Sequence, residues 1–167
     1  MQELLAHHVR EAAARVDVRD AVARVYADLQ REIDVRQPAC SASGKCCRFE
    51  EYGHRLYVST IEIAAFMAQL PGVGREVPVR PTLLPQLAAG SCPFQIDNLC
   101  SVHAIRPFGC RMFFCDATAT QWQNERYEQF HAELKRLHEV LDVPYFYVEW
   151  RQALAALGVG HGDKVLG

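Results

Sequence analysis

Seven cysteines in two groups constrain this chain more than any other feature of its sequence. The groups are Cys40, Cys46 and Cys47, and then Cys92, Cys100, Cys110 and Cys115. In a reducing compartment disulfides are disfavoured, so clustered thiols there more often indicate metal or redox chemistry. Zinc and iron–sulfur clusters both commonly take four thiolate ligands. The spacing therefore predicts one metal site formed where two loops close on each other, with all seven thiols as candidate ligands.

The cysteine spacing does not match the common metal motifs. The sequence has no repeated C-x2-C pair, no C-x-x-C redox pair and no ferredoxin run. Because adjacent side chains in an extended segment point to opposite faces, Cys46 and Cys47 need a turn, which Gly44 permits, or they serve two metals or two irons of one cluster. His54 and His103 are alternative ligands, and scattered buried cysteines are the plain alternative to any site.

Four cations stand beside the cysteines in the sequence, and they fit a site that gathers negative charge. They are Lys45, Arg48, Arg106 and Arg111. Four thiolates on one divalent ion leave a net charge of about -2, and neighbouring cations lower thiol pKa values and offset that charge. The alternative is that these cations are ordinary surface or salt-bridging residues.

Composition and charge exclude several classes of function. The chain has 167 residues, a net charge of -2 and a pI near 6.4, so it lacks the basic footprint of a nucleic-acid-binding protein. Its start lacks the basic and apolar regions of a secretory signal, and its longest uncharged stretch, residues 81–96, contains three prolines and is too short to span a bilayer. We expect a cytoplasmic protein with neither nucleic acid nor membrane as a partner.

The hydrophobic pattern predicts a mainly α fold, a single irregular domain over residues 1–167 with about four to five helices and short β-hairpins. Residues 2–37 lack proline and glycine and form one long helix or two, with a break near Asp17 or Asp20. Residues 38–116 carry the cysteine-bearing loops that form the metal site. Residues 118–141 and 145–157 form the C-terminal helices, within a flanking region at 118–158.

Local signals give further expectations inside the cysteine region. Ser59 or Thr60 caps a helix, with Glu62 placed for a capping box if Ser59 is the cap. Residues 55–58 form a strand that pairs with 47–51 around Gly53, and residues 92–100 form two arms around an Asp-Asn turn. Residues 101–106 form one turn of helix ended by a proline, and residues 72–90 form an extended connection.

The cysteine pattern resembles the YkgJ-type cysteine cluster family, described as a zinc- or iron-chelating domain. The family's C-x2-C-x2-C-C start corresponds to residues 40–47, where Ser43 stands in place of the second cysteine. Its later C-P-F, cysteine, R-P and C-R elements correspond to residues 92–94, 100, 106–107 and 110–111, with His103 where the family often has tyrosine. The resemblance covers residues 40–115 and implies metal binding through these cysteines, with Cys115 a candidate replacement for the thiol missing at Ser43. A related pattern occurs in flagellin lysine methylases, whose reaction we do not carry over.

The pattern leaves the role of the centre open between three functions. A metalloprotein whose zinc ion or iron–sulfur cluster organises the loops is the first, and we favour zinc for an isolated sample. The second is an enzyme, either a cysteine nucleophile paired with histidine or a metal-dependent transferase. The third is a thiol redox sensor that forms disulfides between the two loops. A protein partner or a second copy of the chain can dock on the terminal helices.

Overall fold

The computed structural model describes residues 1–40, 43–70 and 91–159 of the chain, and the helices dominate it. These ranges contain six α-helices and two antiparallel sheets of two strands each, which confirms the predicted mainly α fold. The helices are α1 (Gln2–Ala14), α2 (Val16–Arg36), α3 (Thr60–Gln69), α4 (Phe108–Arg111), α5 (Thr120–Val140) and α6 (Trp150–Ala156). The strands are β1 (Tyr57–Ser59), β2 (Gln95–Ile96), β3 (Leu99–Cys100) and β4 (Tyr147–Glu149). The predicted connection at 72–90 lies outside the described residues.

The N-terminal region forms two helices that break at Arg15. Arg15 has an extended backbone, with φ -86° and ψ 123°, and its guanidinium pairs with Asp17 at 2.8 Å in the first turn of α2. The break therefore precedes Asp17, and neither Asp17 nor Asp20 is the N-cap of α2, as was expected of one of them. The second helix ends at Gln37, which takes a left-handed conformation with φ 50° directly before Pro38. This end is where the proline predicted it.

Helix α3 crosses the first two helices and begins with the predicted cap. Ser59 is its N-cap residue, and the Glu62 carboxylate accepts the Ser59 backbone N–H at 2.9 Å. Nearly the whole helix is buried, because α1 and α2 both pack on it. A carboxylate thus lies at the centre of the protein, with an exposed fraction of 2%.

The predicted pairing of residues 55–58 with 47–51 is wrong. Strand β1 instead pairs with β4, and Tyr57, Val58 and Ser59 lie opposite Glu149, Val148 and Tyr147. The backbone of residues 47–51 is occupied otherwise: the Cys47 carbonyl accepts from Cys92, and the Phe49 carbonyl accepts from His54 in a tight turn. A strand partner some 90 residues away cannot be inferred from local patterning.

The last helix begins later than predicted. Residues 147–149 form strand β4, and the helix runs only over Trp150–Ala156, with Glu149 as its N-cap accepting the Gln152 N–H. Preceding residues are held extended by Thr60, whose hydroxyl donates to the Pro144 carbonyl at 2.8 Å and accepts the Phe146 N–H at 3.1 Å. The residues from 160 onward lie outside the described part of the chain.

The core is centred on aromatic rings from three separate segments. Phe66 of α3 contacts the Trp150 ring at a centroid distance of 4.9 Å and the Phe94 ring at 5.4 Å. Helix α5 agrees with its predicted span after a short 3-10 turn, and buries Phe130 and Leu134 of the expected stripe. None of the helices in the described ranges has the length and apolar character needed to cross a bilayer.

Candidate metal centre

The first cysteine loop makes the turn that its adjacent cysteines require. Gly44, with φ 70°, begins a 3-10 turn over Lys45–Cys47, in which the Cys47 N–H donates to the Gly44 carbonyl at 3.1 Å. A side chain at position 44 would place its Cβ 2.6 Å from both the Asn98 carbonyl oxygen and the Gln95 amide nitrogen. Glycine is therefore needed twice, for the left-handed backbone and for the close approach of the second loop.

The second cysteine loop is the predicted hairpin, and it docks directly on the first. Asp97 and Asn98 both have positive φ and connect β2 to β3, which brings Cys92 and Cys100 to one end. The Cys92 backbone N–H donates to the Cys47 carbonyl at 2.8 Å. Buried Gln95 adds a second link, since its side-chain amide donates to the Gly44 carbonyl at 2.9 Å.

Cys110 comes from a third segment, the short helix α4. Pro107 is its N-cap residue, and the first free N–H, that of Phe108, donates to the Tyr26 hydroxyl at 3.1 Å and to Glu62 at 3.2 Å. Helices α2 and α3 therefore hold α4 in place. The expected turn of helix at 101–106 is present as a 3-10 turn at His103–Ile105.

Five of the seven cysteines converge, and we call them the inner thiols. They are Cys46, Cys47, Cys92, Cys100 and Cys110. The buried Cys47 thiol lies next to those of Cys100, Cys46 and Cys92, and Cys110 lies close enough for their negative charge to affect its pKa. Cys47 and Cys92 are each only 5% exposed. The structure thus joins the two cysteine groups at Cys47.

Contact between these thiols shifts their pKa values in opposite directions. Contact with Cys47 lowers the pKa of Cys46 to about 6 and that of Cys100 to about 7, and it also lowers the pKa of Cys92. Contact with Cys100, Cys46 and Cys92 in turn raises the pKa of Cys47. A thiol has one proton to share, so these four groups titrate as a unit. Burial raises the pKa of the fifth thiol, Cys110, well above its usual range.

Of the four neighbouring cations, Arg106 has the largest effect on the thiols. Its positive charge lowers the pKa values of Cys46 and Cys100 and opposes the effect of burial on Cys110. The guanidinium is held by the His103 carbonyl at 2.7 Å and by the Nδ1 of the same residue at 2.8 Å. The Arg111 side chain fixes the backbone of Arg106, because its Nε donates to the Arg106 carbonyl at 2.8 Å.

The other two cations point elsewhere. Arg48 donates to the Ser43 carbonyl and the Asn98 side chain, which ties the first loop to the hairpin turn, and it pairs with Glu51. The Lys45 ammonium lies 5.3 Å from the centre of the Tyr52 ring. The expectation that the cations offset thiolate charge therefore fits Arg106, while these two have structural contacts of their own.

Cys40 and Cys115 are exposed, whereas the inner thiols are buried or half-buried. The Cys115 sulfur is 4.0 Å from the Ser43 hydroxyl, so a thiol stands beside the position where the resembling family has its second cysteine. The segments that carry Cys40 and Cys115 meet through the Ala39 N–H, which donates to Asp116 at 3.0 Å. We call Cys40 and Cys115 the outer thiols.

Neither alternative histidine ligand is placed as a thiol partner. Burial lowers the pKa of His103, whose ring nitrogen accepts from Arg106. His54 lies between the rings of Phe49 and Phe113, and its Nε2 donates to the Cys46 carbonyl at 3.3 Å. Its Nδ1 is buried without a hydrogen-bond partner among the described residues.

The donor set fits a thiolate-bound metal, although the sulfur atoms are not gathered around one point. Four linked thiols match the ligand number of a zinc ion or an iron–sulfur cluster, and an arginine supplies charge compensation. Within the described ranges, however, only His7, His8 and Glu11 have three donor atoms all within 4.8 Å of one another. The inner thiols surround Cys47 instead of forming a closed tetrahedron.

A pocket of about 250 Å³ opens beside the inner thiols, between β1 and α5. Cys110 and Gly109 line one side, His54 and Tyr57 another, and Tyr127 a third. A Cβ at Gly109 would lie 2.5 Å from a terminal methyl carbon of Leu56, so the Leu56 side chain would have to shift to admit it. Solvent or a small molecule can therefore approach the centre from the Cys110 side.

Several residues that build the site have no signal in the sequence. Tyr26 and Glu62 position the helix of Cys110, Gln95 joins the loops, and the Trp150 indole N–H donates to the Cys92 sulfur at 3.4 Å. Each of these contacts joins residues that lie 46 or more positions apart along the chain, so no local pattern could predict them. The chain matches no model of a known protein family, no curated protein and no solved structure.

Proposed function

We propose that this protein binds a metal centre, a zinc ion or an iron–sulfur cluster, through the inner thiols. The observation that carries the proposal is the buried Cys47 thiol, which lies next to the thiols of three cysteines from both loops. Placing four thiols together, three of them with lowered pKa values, has little value for a simple core, because apolar side chains pack as well without charge. Thiolates are the form in which cysteine binds metal.

Four residues are the proposed ligands: Cys46, Cys47, Cys92 and Cys100. Contact with Cys47 lowers the pKa values of Cys46, Cys92 and Cys100, and a metal ion would replace the Cys47 proton. Since Cys46, Cys92 and Cys100 each contact Cys47, binding draws the hairpin and the first loop together. The centre would then join two loops that already share a backbone hydrogen bond. We favour zinc for an isolated sample.

The resemblance to the YkgJ-type family supports the same function from the sequence side. Its C-C pair and C-P-F segment correspond to the residues that meet at Cys47, and Cys115 lies beside Ser43, where this chain lacks the second cysteine of the family pattern. Free thiols of lowered pKa persist in a reducing compartment, so we place the protein in the cytoplasm. The outer thiols remain available for a second role, such as redox sensing.

Serine substitution at the ligands tests the proposal against an outer cysteine as control. We expect Cys47→Ser and Cys100→Ser to lose bound metal and to lower the melting temperature by roughly 10 °C, because metal binding and loop docking are coupled. Cys40→Ser, at an exposed position, should keep both. Metal content by mass spectrometry and thermal unfolding by circular dichroism are the measurements. Unchanged metal in both ligand variants, or equal loss in the control, contradicts the proposal.

A second candidate function is enzymatic, and the pocket favours it. Cys110 and His54 line the same pocket, and the Nδ1 of His54 has no hydrogen-bond partner among the described residues. A cysteine and a histidine facing one cavity are the minimum for nucleophilic catalysis. Alkylation of Cys110 by a small electrophile while the metal stays bound would favour this function, whereas alkylation that follows only after metal removal would favour the purely structural centre.

A further inference from the structure

The first helix carries a group of possible metal ligands that is separate from the thiols. His7 Nε2 lies 3.3 Å from a Glu11 carboxylate oxygen, and His8 Nδ1 lies 3.4 Å from the same oxygen. The donor atoms of all three side chains lie within 4.8 Å of one another. The spacings of three and four residues along α1 place the histidines one helical turn before the carboxylate, on one side of the helix.

We propose that His7, His8 and Glu11 form a second metal site, one that takes a divalent transition ion such as zinc. Two imidazoles and one carboxylate suit zinc and its neighbours in the first transition row, and three protein ligands leave at least one position open for water. The donors differ from those of the thiol centre, because nitrogen and oxygen replace sulfur. The second site does not rest on the proposed function, since it shares no residue with the inner thiols.

The contacts around these three side chains restrict their motion and leave their donor atoms available to a cation. The His8 ring stacks on Phe146 at a centroid distance of 5.9 Å, and the His8 side chain is only 21% exposed. The His8 side chain therefore loses little freedom when it binds a metal ion. Among the described residues, Glu11 forms an ion pair with the two histidines and with no other cation. Arg15, four residues further along the chain, pairs with Asp17 at 2.8 Å instead.

The opposite face of α1 fixes the helix on which the site stands. Leu5, Val9 and Ala12 are buried against α3, and α6 also packs on this helix. A site on a rigid helix keeps its ligand geometry better than one on a loop. His7 and Glu11 face solvent, with exposed fractions of 59% and 61%, so an ion can enter without any rearrangement of the core.

Zinc titration followed by NMR of the histidine side chains tests the second site. Zn²⁺ is added to the full chain beyond the amount that the thiols bind, and we expect the His7 and His8 imidazole signals to shift together and to saturate with one further ion. Glu11→Gln should weaken this binding at least about tenfold, because it removes a ligand. Glu3→Gln, about two turns before Glu11 on α1, removes the same charge and should bind zinc as the unchanged chain does.

Repeating the titration with Cys47→Ser separates the two sites. The histidine shifts should persist in that variant, so loss of the thiol centre and loss of the helix site are distinguishable outcomes. Histidine signals that zinc leaves unmoved, or that move equally in the Glu11→Gln and Glu3→Gln variants, would overturn the proposal. Unchanged far-ultraviolet circular dichroism shows that each variant keeps its helices.

Discussion

At the scale of single residues, the site depends on positions where only one side chain is compatible with the surrounding backbone. Gly44 shows this most clearly, since its φ of 70° and the backbone of the second loop at Asn98 both exclude a Cβ. Gly53 has a similar φ of 64°, but nothing lies within 4 Å of the Cβ that a substitution would add. A side chain at Gly53 would therefore cause backbone strain alone, whereas a side chain at Gly44 would cause backbone strain and a steric clash.

We expect Gly44→Ala to destabilise the protein more than Gly53→Ala. Both variants bear the left-handed penalty of roughly 1–2 kcal/mol. Only the first also forces the two cysteine loops apart, which adds roughly 1–3 kcal/mol. Unfolding by urea in the same metal-bound state measures the difference. Equal losses in the two variants would mean that the close docking of the loops does not contribute to stability.

At the scale of elements, local signals predicted local structure, and long-range pairing escaped them. The cap at Ser59 and the turn at Asp97 and Asn98 followed from residues three or four apart, and both are present. The partner of β1 could not be foreseen, because it lies about 90 residues later and the Cys47 carbonyl that would have formed the expected hairpin accepts from Cys92. Helix α4 was also missed, since four residues carry no periodicity.

The buried carboxylate that links α3 to α4 gives a pH test at this scale. Burial raises the pKa of Glu62 from 4.5 to about 6, against the hydrogen bonds from Ser59 and Phe108. The folded state therefore binds the proton more tightly than the unfolded chain. The resulting stability is complete below pH 4.5 and is lost as the pH rises through 6, by about 2 kcal/mol.

We expect Glu62→Gln to remove this pH dependence, because a neutral amide stays uncharged at every pH. Chemical unfolding of both proteins from pH 4 to 7 gives the difference in free energy, in which the contributions of the thiols cancel. The exposed Glu139→Gln serves as the control and should follow the unchanged chain. Parallel curves for the Glu62 variant and the unchanged chain would show that this carboxylate does not titrate in the window.

At the scale of the whole molecule, the sequence offered all seven cysteines as candidate ligands and could not divide them into inner and outer thiols. Spacing and the family resemblance made all seven candidates, and only tertiary packing separates the inner thiols from Cys40 and Cys115. Burial against Trp150 and Phe94 brings Cys92 to Cys47, and no pattern within either loop encodes that contact. The helical scaffold could be predicted because its periodicity is local, while the site could be predicted only as a set of residue types.

The most direct test of a thiol-bound metal centre is the metal and acid-labile sulfide content of the unchanged chain, purified without air, with its visible absorption recorded on the same sample. We expect either about one zinc in a colourless protein or iron with sulfide and a brown colour, in each case retained in Cys40→Ser and lost in Cys47→Ser. A folded protein that contains neither metal, and whose stability does not change when zinc or iron is supplied under reducing conditions, would contradict the proposed centre.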